Sequence, residues 1–355
     1  MDTLSSPSQI LSFFGEDPLL SASLRVTSRC NYRCRHCYAD GRPGQPELTS
    51  QEIRTVIDQL WDLGVMRIFF TGGEPFLLPD LPDLIAHGKR KGCEIAVSTN
   101  GSLITDGLLR HLAEVHLDHF QVSIDGKEET HEKVRGISGS FVRACDAVMD
   151  AVRLLPDTNI TVAMVLAQEN LQEAESVFAL ADQLGAKTFV PIPLTVTGRA
   201  RADQAPPPVE LSQIFLQLAE ARPKFRVELS LAVPPAIVPP VMRQTRFGKG
   251  YLCTFPYLLG INANGDVAPC DMLLNEPDYI LGNVRDMSLR DIWCDSPLLL
   301  QLRQVEPADI WGVCTSCSFK ELCCGGCRAA ALLTYKDIAA PDPWCQSFFD
   351  KNLLI

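Results

Sequence analysis

At 355 residues, with 46% hydrophobic and 21% charged side chains, the chain has a globular composition, which excludes disordered and fibrous classes. A formal charge of −11 (32 basic against 43 acidic side chains) and a pI near 5.1, with no basic run, exclude a general nucleic-acid binder. The start carries no signal-peptide pattern, and the most apolar later stretch, LSLAVPPAIVPPVM, is broken by prolines and too short for a bilayer, so a cytoplasmic protein without a membrane partner is expected.

Residues 1–20 are an N-terminal extension. From 21 to 222, short β-branched runs alternate with helical patterns. The strands are SLRVTS, RIFFTG, EIAVSTN, HFQVSID, NITVAMVL and KTFVPIP. The helices are TSQEIRTVIDQLWDLG, DLPDLIAHGKRKG, TDGLLRHLAEV, SFVRACDAVMDAVRLL, NLQEAESVFALADQLG and PPVELSQIFLQLAEA. Gly64, Gly92 and Gly185 mark helix stops, and Thr49 and Ser50 offer a cap. This alternation predicts an α/β fold with a parallel sheet. Without a dinucleotide glycine fingerprint after the first strand, it favours a partial (β/α)6 barrel of TIM type. The proline-rich later part of 201–250, chiefly 223–250, is expected as a linker. From 251 to 355 short segments, glycines and cysteines form a second unit.

In such barrels, chemistry sits on the loops that leave the C-terminal strand ends. Here those loops carry SRCNYRCRHCYAD, TGGEP, STNGS and SIDGK, which therefore share one rim. Cys30, Cys34 and Cys37 stand at i, i+4 and i+7. Three readings fit: one face of a buried helix, a zinc site with His36 as fourth ligand, or an iron–sulfur cube. In the third, three thiolates leave one iron open for a substrate or cosubstrate. Seven further cysteines have the spacing C-x11-G-x4-C, then C-x2-C-x5-C-x3-C, then C: Cys253, Cys270, Cys314, Cys317, Cys323, Cys327 and Cys345. In a reducing compartment they suggest zinc or iron–sulfur ligation, which spacing alone does not separate. Cys93, Cys145, Cys294 and Cys324 fit neither pattern and are expected as small core residues.

The C-x3-C-x2-C motif, with His36 before the last cysteine, resembles the signature of the radical S-adenosylmethionine (radical SAM) family, and the seven later cysteines resemble its SPASM extension. That resemblance implies a [4Fe-4S] cluster on Cys30, Cys34 and Cys37 whose open iron chelates SAM, reductive cleavage to a 5′-deoxyadenosyl radical, and hydrogen abstraction from a substrate. It implies SAM contacts from His36, Gly72, Gly73, Glu74, Ser98, Asn100, Ser123, Asp125 and Arg135. It further implies two auxiliary iron–sulfur clusters, one on Cys253, Cys270 and Cys327 and one on Cys314, Cys317, Cys323 and Cys345. The first lacks a fourth cysteine, because residues 254–264 contain none.

The family's commonest substrate is a ribosomally made peptide. The segments CRHCYAD and CCGGCRAAALLTYKDIAAPDPWC also resemble enzymes of haem and haem d1 biosynthesis, which act on tetrapyrrole side chains, and sugar-modifying members are related. A flavodoxin- or ferredoxin-type electron donor is implied. A peptide substrate would come with a separate recognition protein, or with none, because few residues precede the first strand. No catalytic side chain is identified; Tyr251 and Tyr257 are candidates by position.

Overall fold

The computed structural model describes residues 19–40, 46–243, 253 and 255–353. Six βα units run in chain order. They are β1 (Ser21–Arg25) with α1 (Ser50–Asp62), β2 (Arg67–Thr71) with α2 (Leu81–Lys91), and β3 (Glu94–Thr99) with α3 (Asp106–Glu114). Then come β4 (His119–Ser123) with α4 (Glu128–Arg135) and α5 (Ser140–Leu154), β5 (Asn159–Leu166) with α6 (Ala174–Gln183), and β6 (Thr188–Pro193) with α7 (Pro208–Ala221). Every strand and helix expected from the sequence is present within a few residues. The addition is α4, whose polar sequence EETHEKVR buries only His131, Val134 and Arg135 and so has no apolar stripe to announce it.

Local chemistry explains the boundaries. Thr49 caps α1 in a reciprocal box with Glu52, and Gly92 closes α2 in the left-handed conformation at φ 101°.

Neighbouring strands β1 to β6 pair in parallel and in sequence order, followed by the short β7 (Glu228–Leu229). On the other side of β1 lie β8 (Leu258–Ile261), β9 (Asp266–Ala268) and β10 (Gly282–Asn283); β8 is parallel to β1, and β9 and β10 are antiparallel. Among the described residues the sheet has ten strands with β7 and β10 at its edges and is open, a partial barrel rather than a closed one.

One face of each strand is apolar and packs under the helices: Ile68, Phe70, Ile95, Val97, Phe120 and Val122 against Ile57, Leu60, Leu84 and Val148. Burying each such side chain contributes roughly 1.5–3 kcal/mol. The proline-rich stretch joins this core through Leu229, Leu231, Val233, Ile237, Val238 and Met242. Beyond β10 the elements shorten: α8 (Leu289–Asp295), α9 (Pro297–Arg303), α10 (Lys320–Cys323), α11 (Arg328–Tyr335) and α12 (Pro343–Asp350).

Candidate functional site

The segment from 26 to 40 contains no helix, so Cys30, Cys34 and Cys37 do not form a helix face. The loop is held from several sides. Gly73 N–H donates to Thr27 O at 2.8 Å and Glu74 N–H to Arg29 O at 2.8 Å. Arg199 donates to Cys34 O through its side chain at 2.9 Å and to Cys37 O through its backbone at 2.9 Å.

A Cβ on Gly72 would lie 2.4 Å from Thr27 O, and one on Gly73 2.1 Å from Arg29 O. The close approach that these glycines permit is therefore to the cysteine loop's own backbone. Cys30 is exposed, Cys37 half-buried and Cys34 buried. Burial pushes the Cys34 thiol up, opposed by Arg135, whose guanidinium donates to Cys34 Sγ at 3.6 Å.

The other rim residues converge on this loop. Glu74 is fully buried: one carboxylate oxygen accepts from Thr99 Oγ1 at 2.7 Å and the other from Asn100 N–H at 2.8 Å. Burial raises its pKa while those donors pull it down. Glu74 thus ties the loop after β2 to the loop after β3. Asn100 donates from Nδ2 to Asn31 Oδ1 at 3.0 Å and lies 4.0 Å from Cys30 Sγ. Ser98 accepts from Gln121 Nε2 at 2.9 Å, and half-buried Ser123 ends β4.

Asp125, fully buried, pairs with Arg135 at 2.6 Å and faces His36 Nε2 at 3.5 Å. Burial would raise its carboxyl, yet Arg135, His36 and His131 hold it below the usual range. Burial also lowers the His36 pKa, keeping the ring neutral. Cys34, Arg135, Asp125 and His36 therefore form one buried polar group behind the exposed Cys30.

The seven later cysteines gather into two groups. Burial drives the Cys270 thiol well up, with further upward pushes from Cys253 and Cys327. It does the same to Cys345, where Cys323, Cys314 and Cys317 add to the effect; buried Cys314 is pushed up to about 11. The resemblance to the SPASM extension implies the same two groups.

The donors are thiols throughout, the ligand type that iron–sulfur clusters take, one thiolate to each iron.

Two of the leftover cysteines depart from expectation. Cys93 and Cys145 are buried core residues, but Cys294 is exposed on α8 and Cys324 half-buried. Cys294 lies outside the buried face made by Leu289, Ile292 and Trp293, and Cys324 caps α10 in the left-handed conformation, which turns the chain at the surface. Tyr251 lies outside the described residues, and Tyr257 is buried, its carbonyl accepting from Leu20 N–H at 2.9 Å.

Sequence reading missed several residues that complete the site. They are Arg25, Tyr38, Asp271, Arg199, Arg328 and Asp342, most of them one position from a cysteine or inside a motif already noticed.

Family models and relatives match most of this chain. Residues 24–181 match the radical SAM superfamily, and residues 253–318 match SPASM, an iron–sulfur cluster-binding domain. The AdoMet-dependent heme synthase of Methanosarcina barkeri is 28% identical over 338 residues, covering 90% of this chain and 94% of that protein. The PqqA peptide cyclase of Gluconobacter oxydans is 29% identical over 342 residues, covering 92% and 90%. The fold is shared with Streptococcus suis SuiB, solved bound to S-adenosylmethionine, at a TM-score of 0.75 and 17% identity, covering 95% of this chain and 80% of that one.

Proposed function

From the premise that this chain is a radical SAM enzyme with an iron–sulfur cluster-binding SPASM domain, we propose that Cys30, Cys34 and Cys37 hold its SAM-binding [4Fe-4S] cluster and that its substrate is a ribosomally made peptide. When bound and reduced, such a cluster supplies one-electron cleavage of SAM to a 5′-deoxyadenosyl radical, which abstracts a substrate hydrogen. The chain's residues prepare the place for it. Arg135 donates to the Cys34 sulfur, Asn100 flanks Cys30, and Gly72 and Gly73 let the β2 loop lie against the cysteine loop. His36, Glu74, Ser98, Ser123 and Asp125 are assigned with them to the SAM pocket. Glu74, Asp125 and His36 act from within, because their polar atoms engage the protein.

In the SPASM part, Cys253, Cys270 and Cys327 are assigned to one auxiliary cluster, and Cys314, Cys317, Cys323 and Cys345 to the other. The thiols must lose protons that burial makes them keep, so loading will release protons and weaken as pH falls. Among the described residues no helix is long and apolar enough to cross a membrane. A reducing cytoplasm and a flavodoxin- or ferredoxin-type donor suit the thiols. A separate peptide-recognition protein belongs to the same reading.

The peptide assignment rests on the strand face opposite the core. Its described residues are small or uncharged at Ala96, Ser98, Gln121 and Ala163, with Phe69 beside them. The arginines of β1 and β2 are each held by the chain's own carboxylates, Arg25 by Asp271 at 2.6 Å and Arg67 by Glu94 at 2.7 Å. Together with the charge of −11, this face suits a neutral peptide segment better than a polycarboxylate. The tetrapyrrole reading is favoured by a different observation, the end-to-end match with a heme synthase. Reduced, reconstituted protein incubated with SAM and size-fractionated host extract separates the two by 5′-deoxyadenosine formation. Stimulation destroyed by protease confirms the peptide. Stimulation that survives protease in the small-molecule fraction overturns it in favour of a tetrapyrrole, a sugar or another cofactor precursor.

A further inference from the structure

The three cysteine groups are joined in series by two polar links, the Arg25–Asp271 pair and the buried carboxylate of Asp342. The first link starts from Arg25, at the end of β1 and only 3% exposed. Its guanidinium donates to the Asp271 carboxylate and to the Asp271 carbonyl, each at 2.6 Å, and to Asn275 Oδ1 at 3.0 Å. Asp271 directly follows Cys270 in the chain. On its other side Arg25 lies over the ring of Tyr38, 5.1 Å from the centroid, and Asn275 Nδ2 donates to the Tyr38 carbonyl. Tyr38 directly follows Cys37. One guanidinium therefore touches the chain next to a SAM-loop cysteine and the chain next to an auxiliary-site cysteine.

The second link is Asp342, 2% exposed. One Asp342 oxygen accepts from Cys327 N–H at 2.9 Å, and the other from Cys345 N–H at 3.2 Å and Trp344 N–H at 2.9 Å. Cys327 and Cys345 belong to different auxiliary groups. Arg328 directly follows Cys327 in the chain and is buried. Its guanidinium is stapled to Gly325 O at 2.8 Å, to Ile338 O at 3.1 Å and to Ala340 O.

The backbone makes room for both links. A Cβ on Gly325 would sit 2.2 Å from the Arg328 guanidinium, and one on Gly326 2.7 Å from the Asp342 Cβ. On β8 a Cβ at Gly260 would meet Asp271 N at 2.6 Å. The glycine pair in CCGGCR thus has a reason that cysteine spacing alone does not supply.

We propose that the Arg25–Asp271 pair and the Asp342 carboxylate are positioning groups that fix the three iron–sulfur sites in one array, so that a disturbance at either link is felt at both sites it joins and not at the third. The proposal rests on the reading of the ten thiols as cluster ligands, and two measurements keep the two claims apart. Iron and sulfide content of anoxically reconstituted full-length protein, with electron paramagnetic resonance of the reduced sample, tests the ligand reading. A chain that loads no clusters overturns that reading and the proposal together.

With clusters present, the links are tested in Asp342→Asn and Arg25→Lys, which keep side-chain size and polarity, with Asp342→Ala and Arg25→Met as stronger disturbances. The signal that changes when SAM is added identifies the SAM-binding cluster. Asn at 342 offers one acceptor oxygen where two sets of amides need one each. Asp342→Asn is therefore expected to shift the signals and midpoint potentials of both auxiliary clusters while the SAM-responsive signal keeps its own. Arg25→Lys is expected to move the SAM-responsive signal and one auxiliary signal, and to spare the other. Loss of iron from both joined sites with the third intact supports the proposal equally. A variant that disturbs one site only, none, or all three alike overturns it.

Discussion

Around Cys30, Cys34 and Cys37 the backbone is held by groups outside the loop. The ends of β2 and β3, the carbonyl-bound Arg199, and Arg135 on α4 all reach it. Around Cys314 to Cys345 the supports are local: α10, α11 and α12, of 4, 8 and 8 residues, and buried Asp342 and Arg328 bonded to nearby backbone. The first loop inherits its shape from the parallel sheet. The second is built of short helices and turns around its cysteines, so its folding free energy must come in good part from what its thiols bind. A cofactor site built on strand ends and one built on turns thus differ in what survives when the cofactor is absent.

The sharpest way to break this contrast is Cys34→Ala. It should abolish 5′-deoxyadenosine formation while shifting the melting temperature by only a few degrees, because the sheet holds the loop without the cluster. A collapse of secondary structure in circular dichroism would show that the sheet does not. Iron chelation should come next in effect. Amides of α10, α11 and α12 should lose hydrogen-exchange protection by orders of magnitude, while those of β2 to β5 keep theirs. Equal loss in both regions would erase the distinction. Cys317→Ala sits between these extremes: product should vanish while part of the SAM cleavage continues uncoupled, read as 5′-deoxyadenosine without modified substrate.

A smaller effect probes the sheet-borne side. Gly73→Ala would push a methyl to 2.1 Å from Arg29 O and should cost about 3 kcal/mol in urea unfolding. The smallest comes from pH. Burial, with Arg135 and His36 adding to it, lowers the His131 pKa from 6.5 to about 4. Between those values the unfolded chain binds a proton that the folded chain refuses, so stability is full above 6.5 and falls as pH drops toward 4. Unfolding free energies from urea titrations at pH 7 and pH 5 should differ by about 2 kcal/mol from this group, a difference that His131→Gln removes.

The strand–helix alternation was legible because each strand's apolar face and each helical stripe repeat a period that burial requires. α4 escaped because its buried residues include a histidine and an arginine, which serve Asp125 and Cys34 rather than the core. The cysteine clusters themselves were visible in the spacing, and their division into groups came only with the family resemblance. What spacing could not supply were their supports, since Arg25 and Asp271 lie 246 residues apart and meet only because β8 pairs with β1. Glu74 was visible as part of GGEP, but its buried role depends on Thr99 and Asn100 from another strand. Partners across strands leave no local signature.

The pairing of β8 along the outer edge of β1, from Ser21 opposite Leu258 to Leu24 opposite Ile261, has a consequence for how such chains can be cut and recombined. A fragment ending before residue 253 would leave β1 with an unpaired row of amides and carbonyls beside buried Ala22 and Leu24. Bare edges of that kind recruit other chains. The cysteine-rich part therefore also acts as a guard against aggregation. Grafting it from one barrel to another would require matching this strand register as well as the ligands.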